Sequence, residues 1–196
     1  SSSFFYKEDD FLYGVKKERR KVVKQSSLSQ AEKEFFMKEA IKEAEFAKAE
    51  AEVPIGAVVV LEGKIIGRGH NIRENSQLAT SHAELIAITK ACQKVGSWRL
   101  EKAQLFATLE PCPMCSGAIQ QARIEEVYFG AWDKKACACG SLIDLLHDDR
   151  FYHWCYVEGH ALETECGNLL TDFFKQIRLR QKEEKKKLKA SLTDEN

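Results

Sequence analysis

The chain has 196 residues, 44% of them hydrophobic, enough for one well-buried core with room for arms but not for a second full domain. Thirty Lys and Arg balance thirty Asp and Glu, so the zero net charge points to no partner, and any nucleic-acid signal must come from where the charges sit. No apolar run approaches the roughly 18 residues of a membrane helix, and seven cysteines, an odd number in a chain without a short disulfide-dense frame, predict a reducing, cytoplasmic compartment.

Residues 1–28 read as an N-terminal extension: an aromatic and acidic head, the basic run KKERRKVVK from Lys16 to Lys24, then QSSLSQ. Glu8, Asp9 and Asp10 stand where a signal peptide needs an apolar stretch, and they also disfavour an organelle transit peptide. A loosely held arm is expected. From Ser29, placed as an N-cap, Phe36, Ala40, Ala44 and Ala47 recur along one face with Glu and Lys opposite, which predicts the first helix.

GAVVVLEGKIIGRGHN then changes period, with two β-branched runs on either side of Glu62 and Gly63; it reads as a hairpin, with Pro54 just before it. Leu85, Ile88, Cys92 and Val95 predict a helix that begins close to Ser81 and ends at Gly96. QLFATL is a buried strand that delivers the chain to Pro111. MCSGAIQQARI reads as a helix, EVYFGAW as a strand, SLIDLLHDD as a short helix and WCYVEG as a strand. From about Ala161 a long helix carries Leu162, Cys166, Leu169, Leu170, Phe173 and Phe174, and near Leu179 it becomes a charged tail.

Alternating strands and helices after an opening hairpin predict an α/β fold, a mixed central sheet of about five strands with helices on both faces. The expected organisation is an extension at 1–28, one domain at 29–182 and a charged tail at 183–196.

The stretch TLEPCPMCSG puts Cys112 and Cys115 at a spacing that serves a disulfide, a redox dithiol or a metal. Two predicted helices open with candidate ligands, His82 in one and the two cysteines in the other, where the helix dipole favours thiolate. One imidazole and two thiolates give Zn²⁺ three protein ligands and leave the fourth tetrahedral position to water, as a catalytic zinc requires. Glu84, two residues after His82, is placed to move protons without being a ligand, and the chemistry this predicts is hydrolytic deamination. The competing arrangement, four thiolates from Cys112, Cys115, Cys137 and Cys139, has an unusually short second spacing and leaves His82 and Glu84 without a role. His147 and His153 are weaker candidate ligands, and Cys92, Cys155 and Cys166 sit at apolar-periodic positions that predict core.

His-x-Glu followed after 26 intervening residues by Pro-Cys-x-x-Cys is the zinc-deaminase signature. With it, EVPIGAVVV, GRGHN, HAEL, TLEPCPMCSGAI, FGAWD, GSLIDLLH and LLTDFF resemble the bacterial tRNA-specific adenosine deaminases, from about Phe35 to Lys182. The resemblance implies a three-layer cytidine-deaminase-like fold, a homodimer, and conversion of the wobble adenosine of a tRNA anticodon stem-loop, in an arginine tRNA, to inosine. It assigns zinc to His82, Cys112 and Cys115 and the proton shuttle to Glu84.

By the same resemblance Asn71 hydrogen-bonds the flipped base or its ribose, although it could also cap a turn; Ile55 and Leu109 wall the pocket, and Asp133 lies near the nucleotide. The chain departs from the family at Cys137 and Cys139, where small residues are usual, and at Tyr152, where Asn precedes the histidine. An independent RNA signal lies between Lys175 and Lys189, where eight basic residues, Arg178 among them, face only Glu183 and Glu184, a net +6. Phe173 and Phe174 at its root are placed to stack on or wall an extruded base, and one of the two is expected in the core. The rival readings are a free nucleobase or nucleoside deaminase acting on guanine or cytosine, and a noncatalytic zinc-stabilised tRNA-binding subunit, against which the presence of Glu84 counts.

Overall fold

A computed structural model describes residues 25–133, 135, 137–148, 150–151 and 153–194, with side chains described as far as residue 187. The basic run Lys16 to Lys24, most of the expected arm, Tyr152 and the Lys189 side chain lie outside the described residues. The part of the arm that is described is tied down: the Ser26 hydroxyl lies 2.6 Å from that of Tyr128, and the Ser27 N–H donates to Glu126 at 3.2 Å. Ser29 then closes a capping box, its own N–H donating to the Glu32 carboxylate at 2.8 Å while its hydroxyl accepts the Glu32 N–H, and α1 (Gln30–Ala49) begins where the sequence placed it.

Strands β1 (Gly56–Leu61) and β2 (Lys64–His70) form the hairpin, turned by Glu62 and Gly63, both at positive φ as a two-residue primed turn demands. A short helix α2 (Arg73–Ser76), absent from the sequence expectation, precedes α3 (Ala83–Val95), which ends on Gly96 in the left-handed conformation. The remaining elements are β3 (Gln104–Leu109), α4 (Pro113–Ala122), β4 (Glu126–Ala131), β5 (Tyr156–Glu158) and α5 (Glu163–Asp194). The sheet runs β2-β1-β3-β4-β5; β1 is antiparallel to both its neighbours, and β3, β4 and β5 are parallel.

The pleat sends alternate residues to two cores. Val59, Leu105, Ala107, Val127 and Phe129 face α3 and α4, whereas Val58, Val60, Phe106 and Tyr128 face α1 and α5. The result is the expected three-layer α/β/α arrangement. No helix of the described residues is long and apolar enough to cross a membrane.

SLIDLLHDD is not a helix among the described residues. Its backbone groups bond elsewhere: the Ser141 N–H goes to the Glu110 carboxylate, the Leu145 N–H to the Ala138 carbonyl, and the Leu145 carbonyl accepts the Gln120 side chain. Leu146 is buried while Leu142 and Ile143 are exposed, so the apolar run pins a loop by one residue instead of facing a core along a helix. Helix α5 passes position 182 without a break, and the charged tail continues the same helix to Asp194.

Two glycines set how closely α3 lies on the sheet. A Cβ at Gly67 would stand 2.1 Å from the Ala87 carbonyl oxygen, and one at Gly69 2.3 Å from that of Ala83. Ala83 lies between His82 and Glu84, so the second contact controls the helix end that carries both. Gly69→Ala is expected to cost about 1–3 kcal/mol by overpacking and to lower zinc retention, read by thermal melting and metal content. Unchanged melting and full zinc would mean that α3 does not depend on this approach.

Candidate active site

Parallel strand β3 ends at Leu109, and the chain turns through Glu110 and Pro111 into α4, whose N-cap is Cys112 and whose first residue is Pro113, a position that suits proline. The N-cap of α3 is His82. Neither N-cap side chain makes a capping hydrogen bond, although a capping oxygen is the usual occupant there. Both point instead to a common centre. His82 Nδ1 lies 3.6 Å from Cys112 Sγ and 3.6 Å from Cys115 Sγ, and the three ligand atoms all fall within 4.8 Å of one another. A tetrahedral zinc with Zn–S of about 2.3 Å and Zn–N of about 2.05 Å requires S···N separations of about 3.6 Å. The donor set therefore fits zinc in both chemistry and spacing.

Cys115 is fully buried, while His82 and Cys112 are partly exposed, so the group has an open side. Within the group the hydrogen bond from Cys115, reinforced by His82, holds the Cys112 thiol down to about 4. The Cys115 thiol is pushed up, first by that same bond to Cys112 and then by burial, and His82 is raised by its bond to Cys112. Glu84, only 4% exposed on the first turn of α3, has its pKa raised chiefly by burial. It can hold a proton next to the ligand group, which is what a shuttle needs.

The structure brings Asn71 and Ile55 together. Asn71 is buried at the end of β2 and its N–H donates to the Ile55 carbonyl at 3.0 Å; Ile55 packs against the α3 and α4 core. Leu109 packs against the opposite core, with α1 and α5. Asp133 is partly buried, its carboxylate accepting the Lys135 N–H at 2.9 Å. Phe173 is buried and Phe174 is 43% exposed, an edge-to-face pair with centroids 5.5 Å apart, so one of the two does belong to the core; Arg178 is exposed.

Cys137 and Cys139 stay outside the ligand group, the first donating to the Glu110 carbonyl at 2.9 Å and the second lying 3.4 Å from the Ser116 hydroxyl. His153 is buried against the Ile124 carbonyl, and His147 is paired with Asp144 at 2.7 Å. Cys155 and Cys166 are buried and Cys92 is partly so.

Sequence reasoning missed two buried acids. The Glu110 carboxylate accepts the N–H groups of Cys139 at 3.0 Å, Ser141 at 3.1 Å and Asp133 at 3.3 Å, fastening the segment after β4 beside Cys112. The signal was present: an acid closing a buried apolar strand directly before Pro111 must find donors. The other is Glu52, which bonds Asn71.

An open three-ligand zinc set with a buried carboxyl beside it, carried on paired helix N-termini of a mixed sheet, defines a zinc-dependent deaminase. Residues 30–131 match the family model of the cytidine and deoxycytidylate deaminase zinc-binding region. The tRNA-specific adenosine deaminase of Bacillus subtilis is 50% identical over 155 residues, which cover 79% of this chain and 96% of that protein. The one from Aquifex aeolicus is 43% identical over 146 residues, 74% and 96% of the respective chains. A solved structure from work on A-to-I editing by tRNA:A34 deaminases at the wobble position of transfer RNA matches with a TM-score of 0.67 and 40% identity, over 69% of this chain and 99% of that one. The chain belongs to the tRNA-specific adenosine deaminases.

In the metal-free protein Cys112, held as thiolate and partly exposed, is expected to be the first thiol alkylated by iodoacetamide, at a rate nearly independent of pH from about 6 to 8. Cys139 and Cys166, buried and each pushed up to about 12, should remain unmodified, and added zinc should protect Cys112. Peptide mapping by mass spectrometry reads this out; labelling of Cys112 unaffected by zinc would remove it from the ligand set.

Proposed function

We propose that this protein converts adenosine to inosine at the wobble position of an arginine tRNA by hydrolytic deamination, with Glu84 as proton carrier and His82, Cys112 and Cys115 as the zinc ligands. The observation that carries the reading is Glu84, a carboxyl sealed from solvent beside a donor set spaced for zinc. When bound, the zinc supplies a Lewis acid that lowers the pKa of water to about 7. Glu84 takes a proton from the attacking water and delivers it to the adenine ring nitrogen; a second transfer through the same carboxyl protonates the leaving group. Purine C6 gains an oxygen, and its amino nitrogen departs as ammonia.

A target base reaches this depth only after leaving its stack. Asn71 supplies the polar contact to the flipped nucleoside, Ile55 and Leu109 supply apolar walls, and Asp133 lies at the nucleotide. The exposed cations of α5, Lys175, Arg178, Arg180, Lys182, Lys185, Lys186 and Lys187, track the phosphates of the anticodon stem-loop, and the Phe174 ring is free to stack while Phe173 anchors the helix. The deaminase domain spans 29–182. Seven free cysteines and a tRNA substrate support a cytoplasmic location.

On an arginine tRNA transcript the zinc-loaded protein should form inosine at the wobble position, and Glu84→Gln should slow this by about 10²–10⁴-fold while keeping its zinc. Activity should fall with salt along a log–log slope that shallows by about 0.7 for each phosphate contact removed, as by Arg178→Glu. Zinc-loaded protein without inosine formation on this transcript would overturn the arginine assignment. We further propose a homodimer, the assembly the family resemblance implies; sedimentation at micromolar concentration should give twice the chain mass, and a single chain mass would refute it.

A further inference from the structure

We propose that Glu52 is a positioning residue that fixes the orientation of the Asn71 amide, so that Asn71 meets the nucleoside with its carbonyl oxygen as acceptor. The proposal rests on the reading of Asn71 as a nucleoside contact. Glu52 follows α1 in an acid-rich stretch where Glu50 and Ala51 are exposed, yet it is itself only 1% exposed. Burying a carboxylate is tolerated only when donors meet its oxygens.

Both oxygens are met. Oε2 accepts the Asn71 Nδ2 at 3.0 Å, and Oε1 accepts the Asn75 backbone N–H at 2.6 Å, one of the first-turn amides of α2 that has no partner inside its own helix. The Asn75 side chain returns a bond to the Glu50 carbonyl at 3.1 Å, so the turn after α1 and the turn after β2 are stapled together. Asn71 is also held by its backbone on Ile55, and the next residue, Ile72, donates to the Ser81 carbonyl at 3.2 Å, immediately before His82. The Asn71 backbone is therefore registered to the zinc-ligand helix, and the one freedom left is which way its amide faces.

Glu52 removes that freedom. A carboxylate whose two oxygens both face N–H groups can only accept, so the NH₂ end of Asn71 must point to it and Oδ1 must point away. The nucleoside group that pairs with Oδ1 is consequently a donor, a hydroxyl or an N–H. Glu52→Gln tests this directly, because an amide accepts at one end only, leaving one of the two N–H groups facing an NH₂.

The experiment is a double-mutant cycle on the full zinc-loaded chain with the tRNA transcript, reading kcat/KM and zinc content for Glu52→Gln, Asn71→Ala, the pair, and Glu52→Gln with Asn71→Asp. Glu52→Gln is expected to lower kcat/KM by about tenfold or more with zinc retained, and to add less than about twofold on the Asn71→Ala background. Glu52→Gln with Asn71→Asp, in which donor and acceptor are exchanged, should exceed Glu52→Gln alone. Equal losses on both backgrounds, no loss, or loss of zinc in both Glu52→Gln and the exchanged pair would overturn the proposal and leave Glu52 a staple of the fold. Full activity of Asn71→Ala would instead overturn the reading of Asn71, whatever Glu52 does.

Discussion

Three atoms carried on two helices must lie within about 3.6–3.8 Å of one another for one zinc to bind them, and most of the architecture serves that spacing. His82 comes from the start of α3 and the two thiols from the start of α4, so the helix N-termini have to converge to within a side chain's reach. Convergence of α3 depends on β2 offering no Cβ at Gly67 and Gly69, where any side chain would strike the helix backbone. Convergence of α4 depends on the turn through Glu110 and Pro111 after β3 and on Pro113 starting the helix without a donor to waste. The hairpin, the antiparallel join of β1 to β3 and the parallel run to β4 then hold both helices on one face of the sheet.

Among the described residues five acids are buried; Glu43 pairs with Arg68, and what the other four touch separates them. Glu110 receives three backbone N–H groups, Glu52 a side-chain amide and a backbone N–H, and Glu126 the Tyr128 hydroxyl and the Ser27 N–H. Each of the three ties its own segment to one distant in the chain. Glu84 differs in that burial, more than any partner, governs its protonation. A carboxyl whose charge is poorly compensated is a weak element of stability and a good proton carrier, and this one stands next to the ligand group.

The zinc site was legible because its residues are few, reactive and rigidly spaced along the chain: HAE and PCPMC name the chemistry without any knowledge of the fold. Apart from α2, the order of elements up to β4 was legible from period, and the N-cap at Ser29 marks where α1 starts. The segment after β4 was not. SLIDLLHDD carries the apolar spacing of a helix, but its N–H groups are drawn to Glu110 and to Ala138, distant acceptors that no local pattern announces. Glu52 was hidden for the opposite reason, since an acid in AEAE reads as a solvated helix face until the β2 turn is seen to close over it. Which core Leu109 joins was equally unreadable, because alternation breaks down at the end of a strand and the chain there is already turning into Glu110.

Helix α5 combines two halves with different physics. Cys166, Leu169 and Phe173 bind it to the sheet, and the Gly130 position leaves room for Cys166 alone, since a Cβ there would lie 2.4 Å from its sulfur. Beyond Phe173 no described side chain is buried, and the helix continues for residues whose charges are mostly of one sign. Arg178 and Lys182 stand four apart on one face, as do Lys182 and Lys186, and such like-charged pairs each cost an isolated helix a few tenths of a kcal/mol. Arg180 with Glu184 and Glu183 with Lys187 offset these pairs, and what is left is a net positive charge along the helix. A nucleic-acid backbone laid along it removes the repulsion and releases counterions in the same act, so the half of α5 that contributes least to the fold is the half with most to gain from an RNA.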